Sequence, residues 1–355
     1  MLPIFDGHND VLLRLVRKGE PDGGAASFLQ GDGQGQLDLP RAKAGGFCGG
    51  LFAVFVPSQG PDLNRAEREA MMRAAAYEVP LPPGAELTYS QAAALEMTAL
   101  LLRIVRHSDG AVRLCRNVSE IRAATEAGAL AAILHFEGAE PIDPDLRMLE
   151  VLHAAGLRSL GPVWSRSNIF GHGVPFRFPS TPDIGPGLTD AGKALIKACN
   201  ELKILVDLSH LNEAGFWDVA GLTDAPLVAS HSNAHAISPH SRNLSDRQLA
   251  AIRDSGGLVG VNFAASFLRS DGRMLANTPL NDVVRHADHL IAHLGEDGVG
   301  FGSDFDGAVI PAAMQDAAGL PNLVETFRAA GYDDAILRKL CFDNWLRVLE
   351  RSWGG

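Results

Sequence analysis

The chain has 355 residues, a formal net charge of -11 at pH 7, 46% hydrophobic and 21% charged residues, 38 Gly and 20 Pro, which excludes disordered and fibrous classes and leaves ample apolar mass for a large core. The acidic balance, without any run of Lys or Arg, argues against a nucleic-acid partner and for a small-molecule substrate. No uncharged apolar stretch reaches the roughly 18 residues of a membrane span, and Met1 leads into Leu2-Pro3-Ile4 with no basic or apolar leader, so no membrane association and a cytoplasmic location are expected.

Apolar runs of strand length recur along the chain, separated by longer amphipathic stretches, and this alternation predicts βα units over a parallel sheet. The candidate strands are Pro3 to Asp6, Gly50 to Val56, Ala131 to Phe136, Ser159 to Val163, Ile204 to Leu208, Leu227 to Ala229, Leu258 to Asn262, and Val299 to Gly302. Each lacks polar alternation, as strands covered on both faces should. Helical periods are read over Arg65 to Tyr77, Gln91 to His107, Ser119 to Ala127, Asp145 to Ala155, Thr189 to Leu202, Ser245 to Ser255 and Leu280 to Leu294, with Ser119, Thr189, Ser245 and Asn281 as candidate caps. The Pro- and Gly-rich stretch Phe170 to Gly187 reads as a long loop over the active face, and the segment from Asp316 onward as closing helices. With no linker and no repeat, these units predict a single-domain (β/α)8 TIM barrel over residues 1–355.

In such a barrel the chemistry stands at the C-terminal ends of the strands. Here those ends read Phe5-Asp6-Gly7-His8-Asn9-Asp10, His135-Phe136-Glu137-Gly138, Asp207-Leu208-Ser209-His210, Ser230-His231-Ser232 and Ser303-Asp304-Phe305-Asp306. Alternation puts His8 and Asp10 on one side of an extended segment. Three imidazoles plus several carboxylates exceed what one tetrahedral ion uses, whereas two ions sharing a carboxylate would use them all. Without thiolate ligands Zn, Mn, Co and Fe are chemically open, and Lewis acidity without redox favours two Zn2+ per chain. His135 is read as a support for Glu137. His286, His289 and His293 are read as a solvated helix face, and His107 and His153 as outer-helix residues. Cys48, Cys115, Cys199 and Cys341 form no C-x-x-C pair and read as reduced thiols.

The ordered set of these motifs, together with Arg242-Asn243 and Val261-Asn262-Phe263, resembles the membrane dipeptidase (renal dipeptidase) family of zinc peptidases, within the amidohydrolase-like barrels, over nearly the whole chain. The resemblance implies that His8 and Asp10 hold one zinc, that His210 and His231 hold the other, and that Glu137 bridges them. It makes Asp304 the proton carrier and Arg242 the group that binds the substrate's terminal carboxylate. A hydroxide held between the metals would attack the peptide carbonyl of a dipeptide. The runner-up substrate is an N-acyl amino acid or another carboxylate-bearing amide. The sequence departs from the mammalian members at Trp164, where they carry a histidine that holds the substrate carbonyl, and at Ala264, where they carry a tyrosine. Trp164 is then expected as an apolar wall of the substrate pocket, with Arg166 or His172 supplying the lost polar contact. Side-chain preference and oligomeric state, a homodimer included, are left open.

Overall fold

The computed structural model describes residues 2–59 and 65–354. Eight parallel strands form the barrel: β1 (Ile4–Asn9), β2 (Phe47–Phe55), β3 (Leu130–Glu137), β4 (Leu157–Gly161), β5 (Leu205–Val206), β6 (Val228–Ser232), β7 (Leu258–Asn262) and β8 (Val299–Gly302). They are ordered β5-β4-β3-β2-β1-β8-β7-β6, and a parallel bridge between Asp207 and Val228 joins the two ends of that order. The first strand meets the last at Asp6 and Phe301. Every residue of β1, β3, β6, β7 and β8 is buried, which explains the apolar runs of β3, β7 and β8. The strand bounds for β7 and β8 coincide with those read from sequence, while β5 shortens to Leu205–Val206, with Asp207 continuing toward β6 only as an isolated bridge to Val228.

Three strands lie outside those expectations. Val112–Leu114 adds to the outer side of β3, and Tyr77–Glu78 pairs antiparallel with Arg177–Phe178. This small ribbon, packed with Met72, Ala264, Phe267 and Ala308, gives structure to the stretch from Phe170 to Gly187. Tyr77 therefore belongs to the ribbon, and the helix before it ends at Met71.

The floor of the barrel is sealed by the helix Asn344–Trp353. Trp345 is fully buried, donates its indole N–H to Phe301 O at 2.9 Å, and fits because Gly7 and Gly260 carry no side chain: a Cβ on either would run into the Trp345 ring and the Ser230 carbonyl. Phe5, Leu51, Ile133 and Leu258 complete this lower cluster. The larger cluster lies between the strands and the surrounding helices.

Capping follows the expected chemistry at Thr189, whose side chain accepts from Gly192 N, and at Ser245, which forms a capping box with Gln248. Two caps differ. The helix Val118–Glu126 is capped by Asn117, not Ser119, and Asn281 lies inside its helix, behind a Leu280 cap with no side-chain bond. Among the described residues no helix is long and apolar enough to cross a membrane. All four cysteines are unpaired.

Candidate metal centre and substrate cavity

Period-two alternation in β1 aims His8 into the barrel mouth, and the strand ends as Asp10 turns into the helix Val11–Val16. The long β2–β3 register runs to Phe55 against Glu137, which places the Glu137 carboxylate at the same level. His210 and Asp304 stand just beyond β5 and β8 with left-handed backbones, φ 69° and 60°. That conformation is costly for a side-chain-bearing residue and marks positions where a strand end has been turned to aim a group.

The side chains converge on one atom. Glu137 Oε1 lies 2.9 Å from His210 Nε2, 3.5 Å from His231 Nε2 and 3.7 Å from His8 Nε2. His8 Nε2 is also 3.4 Å from Asp10 Oδ2, and the Nε2 atoms of His210 and His231 are 3.0 Å apart. Ligand atoms of His8, Glu137 and His231 fall within 4.8 Å of one another, as do those of His8, Asp10 and Asp304.

Hydrogen bonds behind the cluster set which nitrogen is free. Ser230 Oγ donates to Asp207 Oδ2 at 2.5 Å, spending its one proton, so it accepts from His231 Nδ1 at 2.8 Å. The lone pair of His231 is therefore on Nε2, facing Glu137. Asp207 is itself fixed by the backbone N–H groups of Ser209 and Ser230. His210 is anchored likewise through Nδ1 to Ser165 Oγ at 2.8 Å. His135 lies behind His8, its Nδ1 bonded to Ser159 Oγ at 2.9 Å, and the rings of His8 and His135 meet edge to face. Asp304 Oδ2 accepts from Asn262 Nδ2 at 2.9 Å.

The electrostatics ask for added positive charge. Burial opposes a charge on His8, yet Glu137, Asp10 and Asp304 together raise its pKa to about 10. Burial, reinforced by Asp10 and Asp304, pushes the Glu137 carboxyl well above its ordinary value despite the His8 charge. Burial first, and then the charges of Arg242 and His8, hold His210 and His231 well below theirs, as neutral imidazoles. Neither buried nitrogen of His8 makes a hydrogen bond. Neutral imidazoles with aimed lone pairs, carboxylates crowded together and an unsatisfied buried nitrogen fit divalent cations in this position.

Beside the cluster lies a cavity of about 440 Å³, lined by Asp10, Glu137, His210 and Asp304 on one side and by Phe55, Met72, Trp164, Phe176, Ala264, Phe267 and Met274 on the other. Trp164 forms part of the apolar wall, edge-on to Phe55 at 5.0 Å and to Phe176 at 5.6 Å. Arg242 is buried with its Nη2 donating to His231 O at 3.1 Å and its guanidinium over the Phe267 ring at 5.5 Å. Its Nε is buried without a hydrogen bond, and Arg242 stands behind the cavity lining, not in it.

The two residues expected to replace the histidine absent at position 164 do not reach the cavity lining. Arg166 turns back into the wall, where its Nε donates to Glu140 Oε1 at 2.8 Å and its Nη2 to Val56 O at 2.6 Å. A buried carboxylate so paired leaves the guanidinium no freedom to face a substrate. His172 is half-buried and bonds Ser167 Oγ through Nδ1 at 3.0 Å. Also corrected is His286, which is fully buried rather than on a solvated face. The supporting roles of Ser165, Ser230, Asp207 and Asn262 escaped the sequence reading. Only their place beside the candidate metal-binding residues hinted at them.

Residues 1–352 match the membrane dipeptidase family, peptidase family M19. A crystal structure described as dipeptidase AC, a metallopeptidase of family M19, superposes with a TM-score of 0.96 at 56% identity over 100% of this chain and 99% of that one. A Rhodobacter sphaeroides metallopeptidase, solved with a phosphinate mimic of the dipeptide L-Ala-D-Ala, gives a TM-score of 0.96 and 56% identity over 99% of both chains. A Klebsiella pneumoniae protein encoded in the pqqA 5′ region is 52% identical over 258 residues, 73% of this chain and 95% of its own. Barrel, converging imidazoles and carboxylates, and similarity along the full length together assign this chain to the membrane dipeptidase family of metallopeptidases.

Proposed function

We propose that the chain is a metal-dependent dipeptidase of the cytoplasm that works with two zinc ions, hydrolysing the peptide bond of free dipeptides. The observation that carries this reading is the convergence of three imidazole nitrogens from three strands on Glu137 Oε1, at 2.9 to 3.7 Å. His8 and Asp10 would hold one ion, His210 and His231 the other, with Glu137 between them. Ions bound there would supply Lewis acidity and lower the pKa of a water toward neutrality.

The chain's own residues do the rest. Asp304, raised above the ordinary carboxylate range by burial and by Asp10, is placed to take a proton from the attacking water and return it to the leaving amine. Asn262 fixes the carboxylate that does so. Arg242, with an unused Nε–H beside Phe267, would bind the C-terminal carboxylate. Trp164, Phe55 and Phe176 wall the cavity against water. A cavity of about 440 Å³ suits a ligand of dipeptide size and not a polypeptide. That the Rhodobacter sphaeroides relative binds a dipeptide mimic supports the same substrate class here.

The test is a panel of L,L- and L,D-dipeptides set against N-acyl amino acids, with metal analysis of the same sample. Turnover of dipeptides with two zinc ions per chain is expected. Faster turnover of N-acyl amino acids would transfer the substrate assignment to them.

A further inference from the structure

On the outer helix layer a second group of metal-type ligands stands apart from the strand ends. Asp246 opens the helix Asp246–Asp254, whose first turn is fixed by the Ser245 capping box. His289 and His293 lie four residues apart on Asn281–Leu294, so they share a face one turn apart. Their rings are 4.4 Å apart between centroids. The rotation of that helix is set by His286, one turn earlier, which accepts from Ala234 N at 3.1 Å and donates to Leu268 O at 2.9 Å.

As a result both outer imidazoles face one carboxylate oxygen of the neighbouring helix. Asp246 Oδ1 is 2.7 Å from His289 Nε2 and 3.7 Å from His293 Nε2, and ligand atoms of the three residues fall within 4.8 Å of one another. Around a tetrahedral ion with bonds of about 2.1 Å, donor atoms sit about 3.4 Å apart, a spacing these two distances bracket. A histidine pair at this separation on one helix face is a recurring zinc clamp. Two imidazoles and one carboxylate suit Zn2+, Ni2+ or Cu2+ and not Ca2+ or Mg2+, which take mostly oxygen.

We propose that Asp246, His289 and His293 form a second site for a divalent transition-metal ion, clamping the helix Asp246–Asp254 to Asn281–Leu294. The side chains are 21 to 49% exposed, so the fourth position is open to water and the ion exchanges with the medium. This inference does not depend on what the barrel mouth holds.

The experiment compares zinc content by equilibrium dialysis, with free Zn2+ carried into the high micromolar range, for the wild type and the His289→Ala and His293→Ala variants. Alanine is a strong helix former, so both variants keep the fold. The site predicts that each variant binds one equivalent fewer than the wild type, whatever the total, while kcat/KM on a dipeptide stays within twofold. Equal zinc content in all three proteins would reduce the cluster to a His–Asp ion pair and overturn the proposal. Turnover falling together with the lost zinc would overturn its separation from the catalytic centre.

Discussion

At His231 a chain of three groups decides which nitrogen carries the proton. Asp207 takes the only hydrogen of Ser230, Ser230 must then accept from His231 Nδ1, and Nε2 is left bare toward Glu137. Asp304 is positioned with comparable care: Asn262 Nδ2 donates to it at 2.9 Å, and its backbone lies at φ 60°. Because asparagine tolerates this left-handed region, Asp304→Asn keeps the geometry and removes only the carboxylate proposed as the proton carrier. Turnover should fall on the order of 10²-fold or more with metal content intact. Near wild-type kcat would take the proton-carrying role from Asp304. Arg242→Ala tests the other end of the substrate. KM should rise far more for free dipeptides than for their C-terminal amides, since only the former offer a carboxylate to the guanidinium. An equal rise for both would place the carboxylate elsewhere. His8, Asp10, Glu137, His210 and His231 were legible because strand alternation delivers them to one end of the barrel. Arg166 was not, because its partner Glu140 lies 26 residues away in the chain and no periodicity announces an ion pair of that separation.

Among the elements, strands proved easiest to read, since burial on both faces writes itself as an unbroken apolar run. The ribbon of Tyr77–Glu78 and Arg177–Phe178 left no such trace, because two residues per strand are too few for a period and the pairing spans a hundred residues. Caps were legible where the hydroxyl or amide precedes the helix directly, as at Ser245. They misled where two candidates compete, as at Asn117 and Ser119. The closing helix Asn344–Trp353 carries the largest single packing commitment. Trp345→Ala should empty a fully enclosed space at the barrel floor and cost about 3 to 5 kcal/mol. A denaturant midpoint displaced accordingly would confirm it, and Trp345→Phe should lose much less. If both variants kept the wild-type midpoint, the floor would not depend on the indole.

At the scale of the molecule, His286 is one of several buried neutral histidines through which acid should destabilise this protein. Burial pulls the His286 pKa from 6.5 to about 3, with the nearby Arg285 and His289 charges adding to it and the bond to Leu268 O opposing it. Its Nδ1 accepts a backbone N–H from Ala234, so a second proton would put two hydrogens face to face. As pH falls below 6.5 the unfolded chain takes up that proton and the folded chain does not, until about pH 3. The share of stability that rests on His286 should therefore drop through this window by roughly 1 kcal/mol per pH unit and level off beneath it. Urea midpoints measured between pH 7 and pH 4 would show the slope. A His286→Gln variant should lower the overall slope by about 1 kcal/mol per pH unit, the remainder resting on other buried neutral histidines such as His210, His231 and His240, and an unchanged slope would remove His286 from the acid sensitivity. The polar spacing of His286, His289 and His293 suggested an exposed face, and two of the three are indeed partly exposed. What the pattern could not convey is that His286 finds its partners just beyond other strands, Ala234 after β6 and Leu268 in the short helix Ala265–Leu268 that follows β7.

The pairing of β1 with β8 sets a timetable. His8 and Asp10 are made early, but Asp304 follows His8 by 304 - 8 = 296 residues, and β1 has no last neighbour until Phe301 exists. At about 5 to 20 residues per second, a ribosome needs roughly 15 to 60 s to cover that interval. Throughout it the nascent chain exposes an early imidazole and carboxylate without the groups that complete their surroundings. Metal loading thus belongs to the finished barrel and not to translation. A shortage of the ion during synthesis should leave apo-protein that can be loaded afterwards.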